Sequence, residues 1–188
     1  MSGHLLLLSG DPGIPWMGPS GASAHLRGVA NGFHELGLDP KLLCLKQQDH
    51  RPTVRQAIDI PRLHLPPPKR PHQLRERYEQ WWARLLVRKS LTTWGKPSVI
   101  YERYSLFCDA GMRLQQRHNI PRIIEVNAPL LLERPTIRDR QRAQSLQTQV
   151  LRSADRVVVV SEWLARWAVD TVGCSTQRVR VVPNGSAG

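Results

Sequence analysis

The sequence predicts an α/β fold: a doubly wound, mainly parallel sheet with helices on both faces. Three observations predict it. Short apolar runs alternate with amphipathic stretches along the chain, the pattern of strands joined by crossover helices. Runs such as Leu5 to Leu8 and Val157 to Val160 are continuous, which suits strands buried on both faces. At 188 residues, 40% hydrophobic and 22% charged, the chain can bury one core of ordinary composition.

The elements follow in order. His4 to Leu8 is the first strand, and the glycines and prolines of Ser9 to Gly21 make a long turn-rich loop after it. Ala22, Leu26, Val29, Ala30, Phe33 and Leu36 share one face of a helix over 22–36, which Gly37 stops. Lys41 to Leu45 is the second strand, and a weaker one spans Ile58 to Leu65 before Pro66-Pro67-Pro68. From Gln73 to Leu91 the spacing of Leu74, Tyr78, Trp81, Trp82, Leu85 and Leu86 is helical, while arginines and Lys89 take the remaining surface. The rhythm then becomes regular: strand Ser98 to Tyr101, helix Leu106 to His118, strand Arg122 to Val126, and a loop through Pro129 and Pro135. Helix Ile137 to Ser153, strand Arg156 to Val160, helix Glu162 to Val172 and strand Arg178 to Val182 complete it. There is no internal repeat, and right-handed crossovers make these units one doubly wound domain.

Composition excludes several classes. No stretch approaches the ~20 apolar residues of a membrane span, and the Leu5 to Leu8 run is too short for a signal-peptide core, which points to a cytoplasmic chain. Cys44, Cys108 and Cys174 are odd in number and lack Cys-x-x-Cys spacing, against both a disulfide framework and a zinc site. Without His-Glu-x-x-His or Asp-x-Asp, no metal is expected. Lys plus Arg number 27 against 15 Asp plus Glu, a net charge of +12 that suits phosphate-rich partners. A GC-rich genome also raises Arg and Pro, so charge alone selects no partner.

Four segments carry candidate chemistry. Gly18-Pro19-Ser20-Gly21 precedes a helix N-terminus, where glycines let a phosphate approach the backbone, although such turns are as often plain loops. Neither Gly-x-Gly-x-x-Gly nor a P-loop is present, and Lys46-Gln47-Gln48 stands where a ribose-binding acid would be. Glu102 and Arg103 end a strand, where open α/β sheets bind ligands; Arg103 could also be a structural partner of Glu102 or Glu125. Asn127 ends the next strand, able to meet a sugar hydroxyl or to make an Asx turn. Ser161 reads chiefly as a helix N-cap.

Taken in order, these segments resemble the N-terminal, acceptor-side Rossmann domain of family 4 retaining glycosyltransferases of GT-B fold. The resemblance rests on the Gly18 to His25 loop and helix start, Ile100 to Ser105, Ile124 to Leu130 with Glu133, Ala154 to Ser161, and Val181-Val182-Pro183-Asn184-Gly185. It implies a domain over 1–182, with 183–188 opening the interdomain linker at hinge residues Asn184 and Gly185. It assigns Gly18 and Gly21 to the donor phosphate and sugar, and Arg103, Glu102 and Ser161 to the acceptor side. Asn127 falls at a catalytic position that is histidine in many members. No cofactor is implied beyond a nucleotide sugar as co-substrate. The family's donor-binding C-terminal domain, with its basic pair and Glu-x7-Glu motif, is expected to be missing. A second Rossmann domain, in cis or trans, would then be a partner.

Two readings stand. The first is a glycosyltransferase N-domain, inactive alone, that serves a nucleotide-sugar donor and an unidentified acceptor. An apolar cleft wall including Ile14, Trp16 and Met17 would favour self-association. The second is a non-catalytic basic module for anionic lipid or nucleic acid. Arg75, Arg77, Trp81, Arg84 and Arg88 would contact a membrane through one helix and place the chain peripherally at its surface. Nucleic acid is disfavoured, because no helix-turn-helix, RRM or KH signature accompanies the charge.

Overall fold

A computed structural model describes residues 3–11, 13–45, 61–64, 75–134 and 136–185. Among them seven strands form one sheet, all pairs parallel, in the order β3-β2-β1-β4-β5-β6-β7. These are β1 (Leu5–Ser9), β2 (Pro40–Cys44), β3 (Arg62–His64), β4 (Val99–Arg103), β5 (Arg122–Val126), β6 (Arg156–Val159) and β7 (Val179–Val181). The helices are α1 (Gly21–Glu35), α2 (Arg75–Trp94), α3 (Ala110–His118), α4 (Leu130–Glu133), α5 (Arg140–Arg152) and α6 (Glu162–Arg166), the last continuing as a π-helical turn over Trp167–Thr171. This is the doubly wound architecture that the alternating pattern predicts. Strand order reverses between β1 and β4, so that crevice at the carboxyl ends is the topological switch point.

Alternation along the strands sorts the core into two faces. Leu6 and Leu8 of β1, Leu43 of β2 and Ile100 of β4 pack under α2 and α3. Ile124, Val126, Val157 and Val159 continue that face under α5 and α6. Leu5 and Leu7 point the other way with Leu42, under Trp16 and α1. Every residue of β1 is buried, and each such leucine contributes roughly 1.5–3 kcal/mol. α1 is the one described helix on its face, and it covers β1, β2 and β4 rather than β5 to β7.

Local chemistry sets the boundaries. Ser20 caps α1 by accepting from the Ser23 amide at 3.2 Å, and Gly37 leaves it at φ +75°, a conformation that favours glycine. α3 begins at Ala110, not Leu106: Leu106 and Phe107 form a buried turn ahead of the helix, in which the Cys108 amide donates to the Ser105 carbonyl at 3.2 Å. Pro129 begins the short helix α4 inside the stretch expected to be a loop, and Asp139 caps α5 three residues later than its apolar spacing suggests. The expected strand before residue 61, the proline triplet, Lys46 to Gln48, the helix start at Gln73 and Leu74, and residues 186–188 lie outside the described residues. No described helix is long and apolar enough to cross a membrane.

Candidate active site

Glu125, near the end of β5, is the centre of the site. Register pairs it with Arg103, and both side chains fall on the α1 side of the sheet. Its carboxylate accepts from His25 Nε2 on α1 at 2.7 Å, from the Tyr101 hydroxyl at 2.6 Å, and from Asn127 Nδ2. Burial pushes the Glu125 carboxyl up, but the bonds from His25, Tyr101 and Asn127 outweigh it and hold the group below the usual carboxylate range. Glu125 is therefore charged while nearly inaccessible. The Tyr101 hydroxyl is pushed far up, by burial and then by that charge, so it remains a donor.

Arg103 stands beside this knot with its Nη1 3.5 Å from Glu125 Oε1, and that nitrogen is buried without a hydrogen-bond partner. Burial pushes the pKa of its guanidinium below the ordinary value, opposed by Glu125 and by Asp11. Asp11 accepts from the Gly13 amide at 2.7 Å and from Arg134 at 3.2 Å, which ties the loop after β1 to the segment after α4 across the switch point. Asn127 is engaged at both ends: its Nδ2 donates to Glu125, and its Oδ1 accepts from Asn184 Nδ2 at 3.3 Å.

Beside the knot lies a cleft of about 740 Å³ within the usual ~300–1,000 Å³ of ligand sites. One wall is the α1 stripe of Gly21, Ala24, His25, Gly28 and Val29; the other is Tyr101, Glu125, Val158, Val160 and the outgoing segment 182–185. At Gly21 a side chain would meet nothing within 4 Å, so the helix N-terminus is open to a ligand. Gly18 differs: a Cβ there would sit 2.6 Å from Pro15 Cγ and 2.7 Å from Ser23 Oγ. Arg27 holds this loop from below, donating to the carbonyls of Trp16 at 2.7 Å and Gly18 at 3.0 Å.

The carboxyl edge of the sheet thus carries Gly18, Gly21, Arg103, Asn127, Ser161, Asn184 and Gly185, each following a strand end or loop there. Glu102 does not join them. Its side chain points to the opposite face, wholly buried against Arg122 at 2.5 Å, so an acceptor-side role is corrected to a structural one. Ser161 caps α6 by accepting from the Leu164 amide at 3.3 Å. Trp16 is fully buried and so is no part of an exposed cleft wall, whereas Ile14 and Met17 are half-buried against the same core.

The helix expected to face a membrane is divided. Arg84 is not free: its Nε donates to Asp109 at 2.8 Å, and its Nη2 is also bonded there. Arg77, Trp81 and Arg88 are exposed, and Arg75 opens the helix. Among the described residues no three His, Cys, Asp or Glu side chains cluster as a metal site would require.

His25, Tyr101 and Glu125 were not singled out as site residues by the sequence. A signal existed: on adjacent parallel strands, Tyr101 and Arg103 share a face with Ile123 and Glu125, and His25 lies one turn beyond Gly21.

A family model described as a glycosyl transferase 4-like domain matches residues 20–185. Sucrose-phosphate synthase from Thermosynechococcus elongatus superposes with a TM-score of 0.74 at 16% identity, over 98% of this chain and 48% of that one. HepE from Anabaena, in complex with UDP and glucose, superposes with a TM-score of 0.68 at 16% identity, over 98% of this chain and 45% of that one. At such identities the likeness is one of fold. The chain spans about half the length of these structures. No curated protein matches the sequence.

Proposed function

The chain belongs to the glycosyl transferase 4-like family, and on that premise we propose that it forms the acceptor-side half of a retaining glycosyltransferase that uses a nucleotide-sugar donor. Fold does not by itself imply an activity, so the reading leans on the site. The carrying observation is the cleft that joins the open α1 N-terminus at Gly21 to the charged knot around Glu125. A helix N-terminus favours a phosphate, and an amide beside a buried carboxylate suits the hydroxyls of a sugar. The Anabaena HepE structures with UDP, with UDP and glucose and with UDP-glucose support a nucleotide-sugar donor here.

Each residue then has a role. Gly21 lets the donor's phosphate reach the α1 amides. Asn127 contacts the transferred sugar, held in orientation by Glu125, whose charge His25 and Tyr101 maintain. Arg103, backed by Glu125 and Asp11, lines the acceptor side. Asn184 and Gly185 lead toward the second domain. Transfer with departure of a nucleoside diphosphate needs fixed positive charge at the leaving group, and the described part of the cleft supplies only amides there. The second Rossmann domain supplies it in this reading. Val158, Val160 and Val182 line a sheet face that no described helix covers, whereas parallel sheets are normally covered on both sides, which supports seating of a further element there.

The test is to incubate the purified chain with a panel of nucleotide sugars, follow nucleoside diphosphate release, and repeat with a candidate C-terminal half added. No release from the chain alone, and release on addition of the second half, is expected. Steady release from the chain alone would overturn the half-enzyme reading.

A further inference from the structure

On the face opposite α1, one polar network joins α2, α3 and α5 near the carboxyl edge, through Gln80 and Arg84 in the second and third turns of α2, Asp109 and Arg113 at the start of α3, and Arg142 in the first turn of α5. Asp109, at the start of α3, is buried and accepts from Gln80 Nε2 of α2 at 2.8 Å, from Arg84 Nε at 2.8 Å and from Arg113 Nε at 2.8 Å. Gln80 in turn accepts from Arg142 of α5 at 2.6 Å. Burial pushes the Asp109 carboxyl up, but its bonds to Arg84 and Arg113 prevail and keep it ionised, below the usual range. One carboxylate therefore faces two guanidiniums, and the surplus charge lies at the surface.

Around this network the surface is basic and carries an exposed indole. Arg77, Arg138 and Arg140 are exposed, and Trp81 is 51% exposed although it tilts against Tyr78 and Trp82 with ring centroids 5.7 and 5.3 Å away. Asp139 caps α5 and Glu79 lies on α2, so the local balance remains positive. The placement of the arginines is informative. α5 has no acidic residue in its first turn and starts with Arg140 and Arg142, where the helix dipole disfavours cations. Arg142 serves the network through Gln80, whereas Arg140 is exposed and takes no part in it.

We infer that this platform, Arg77 and Trp81 of α2 with Arg138 and Arg140 at the start of α5, docks on an anionic lipid surface. The charge complements acidic headgroups, and a half-exposed indole among arginines suits the boundary between headgroups and acyl chains. A nucleic-acid duplex, its bases stacked inside, would use the charge alone. The platform lies on the sheet face opposite the α1 cleft, so docking leaves Gly21 and Asn127 free.

Vesicle flotation tests the inference with the whole chain, using phosphatidylcholine alone and phosphatidylcholine with about 30% phosphatidylglycerol. Binding to the anionic vesicles only is expected, falling steeply as salt rises from about 0.05 to 0.5 M. Arg77→Glu combined with Arg140→Glu should weaken it at least about tenfold, and Trp81→Ala about fivefold. A matched control, Arg117→Glu with Arg152→Glu at the far ends of α3 and α5, should change it less than about twofold. All these positions are exposed, and circular dichroism confirms that each variant is folded. Equal binding to neutral vesicles would overturn the inference. So would equal losses in the platform and control pairs, which would mean diffuse charge. Binding to a duplex DNA fragment that matches the vesicles in strength, with no loss in Trp81→Ala, would overturn it in favour of a polyanion site.

Discussion

Replacing Glu125 tests both the architecture of the site and its electrostatics. Glu125→Ala leaves three donors, His25 Nε2, the Tyr101 hydroxyl and Asn127 Nδ2, without their acceptor. A bond to a charged partner contributes roughly 1.5–3 kcal/mol. The three do not add fully, because water in the cleft can reach His25, whose side chain is 23% exposed. A loss of about 3–5 kcal/mol is expected, or roughly 10 °C in melting temperature for a chain of this size. Glu125→Gln keeps the shape but loses the charge and turns an amide toward donors, and should cost about 2 kcal/mol. The pH dependence gives an independent check. The folded carboxyl titrates below its ordinary value of 4.5, so the native state binds fewer protons than the unfolded chain in that window. Its stabilisation is complete above the unfolded value and fades as pH falls through the folded one. Urea unfolding at pH 7 and near pH 3.5 should therefore show the gap between wild type and Glu125→Gln narrowing in acid. Equal stability at pH 7, or a gap that is the same at both pH values, would refute the reasoning.

Three further outcomes follow from the geometry. Arg122→Met strands the buried Glu102 carboxylate and should cost about 3–5 kcal/mol in urea unfolding, while Arg122→Met with Glu102→Leu should recover most of it, since a buried pair often gives way to apolar residues of similar volume. Gly18→Ala forces a Cβ against Pro15 and Ser23 and should destabilise by about 1–3 kcal/mol, whereas Gly21→Ala meets open space and keeps stability and, on the proposed reading, should weaken nucleotide-sugar binding when a second domain is supplied, read by calorimetry. Asp109→Ala should destabilise by about 1–3 kcal/mol, because Gln80, Arg84 and Arg113 lose their shared partner while both guanidiniums can still reach water, and the same unfolding curves report it.

Much of this fold can be read from the chain because its strands are continuous apolar runs and its helices are amphipathic. Leu5 to Leu8 reads as a strand buried on both faces, and the end of α1 follows from Gly37, while its start at Gly21, capped by Ser20, comes one residue before the apolar spacing. Sequence reasoning fails where tertiary packing overrides periodicity. Leu106 to Cys108 have the hydrophobicity of a helix start but fill a buried turn, with Cys108 so close to Gly10 that a Cβ there would lie 2.6 Å from its sulfur. The site divides the same way. Residues after strand ends were identifiable from position, but Glu102 and Glu125 look equivalent in sequence, both acidic and both near a strand's carboxyl end. Register decides between them: Glu102 pairs with Ile124 and faces Arg122, whereas Glu125 pairs with Arg103 and faces α1. No local pattern shows which face of a parallel sheet will carry the cleft.

The knot around Glu125 also explains why its members belong together. Through His25 it grips the second turn of α1, and so the helix whose N-terminus opens at Gly21. Through Tyr101 it holds β4, and the ring of Tyr101 meets Phe33 of α1 edge-on with centroids 5.0 Å apart. Through Asn127 it reaches Asn184, in the segment leaving β7. A chain of contacts thus runs from the outgoing segment to the glycine loop without leaving the carboxyl edge. Its links differ in strength. The bonds at Glu125 involve a charge and are short and buried, whereas Asn184 to Asn127 is a neutral 3.3 Å contact at the exposed end. On the proposed reading, that is the link a sugar hydroxyl replaces, because Asn127 Oδ1 can exchange Asn184 for substrate while Glu125 continues to hold its Nδ2. On the same reading, a site arranged this way would present a fixed amide to the donor while the outgoing segment is held only by the weaker contact.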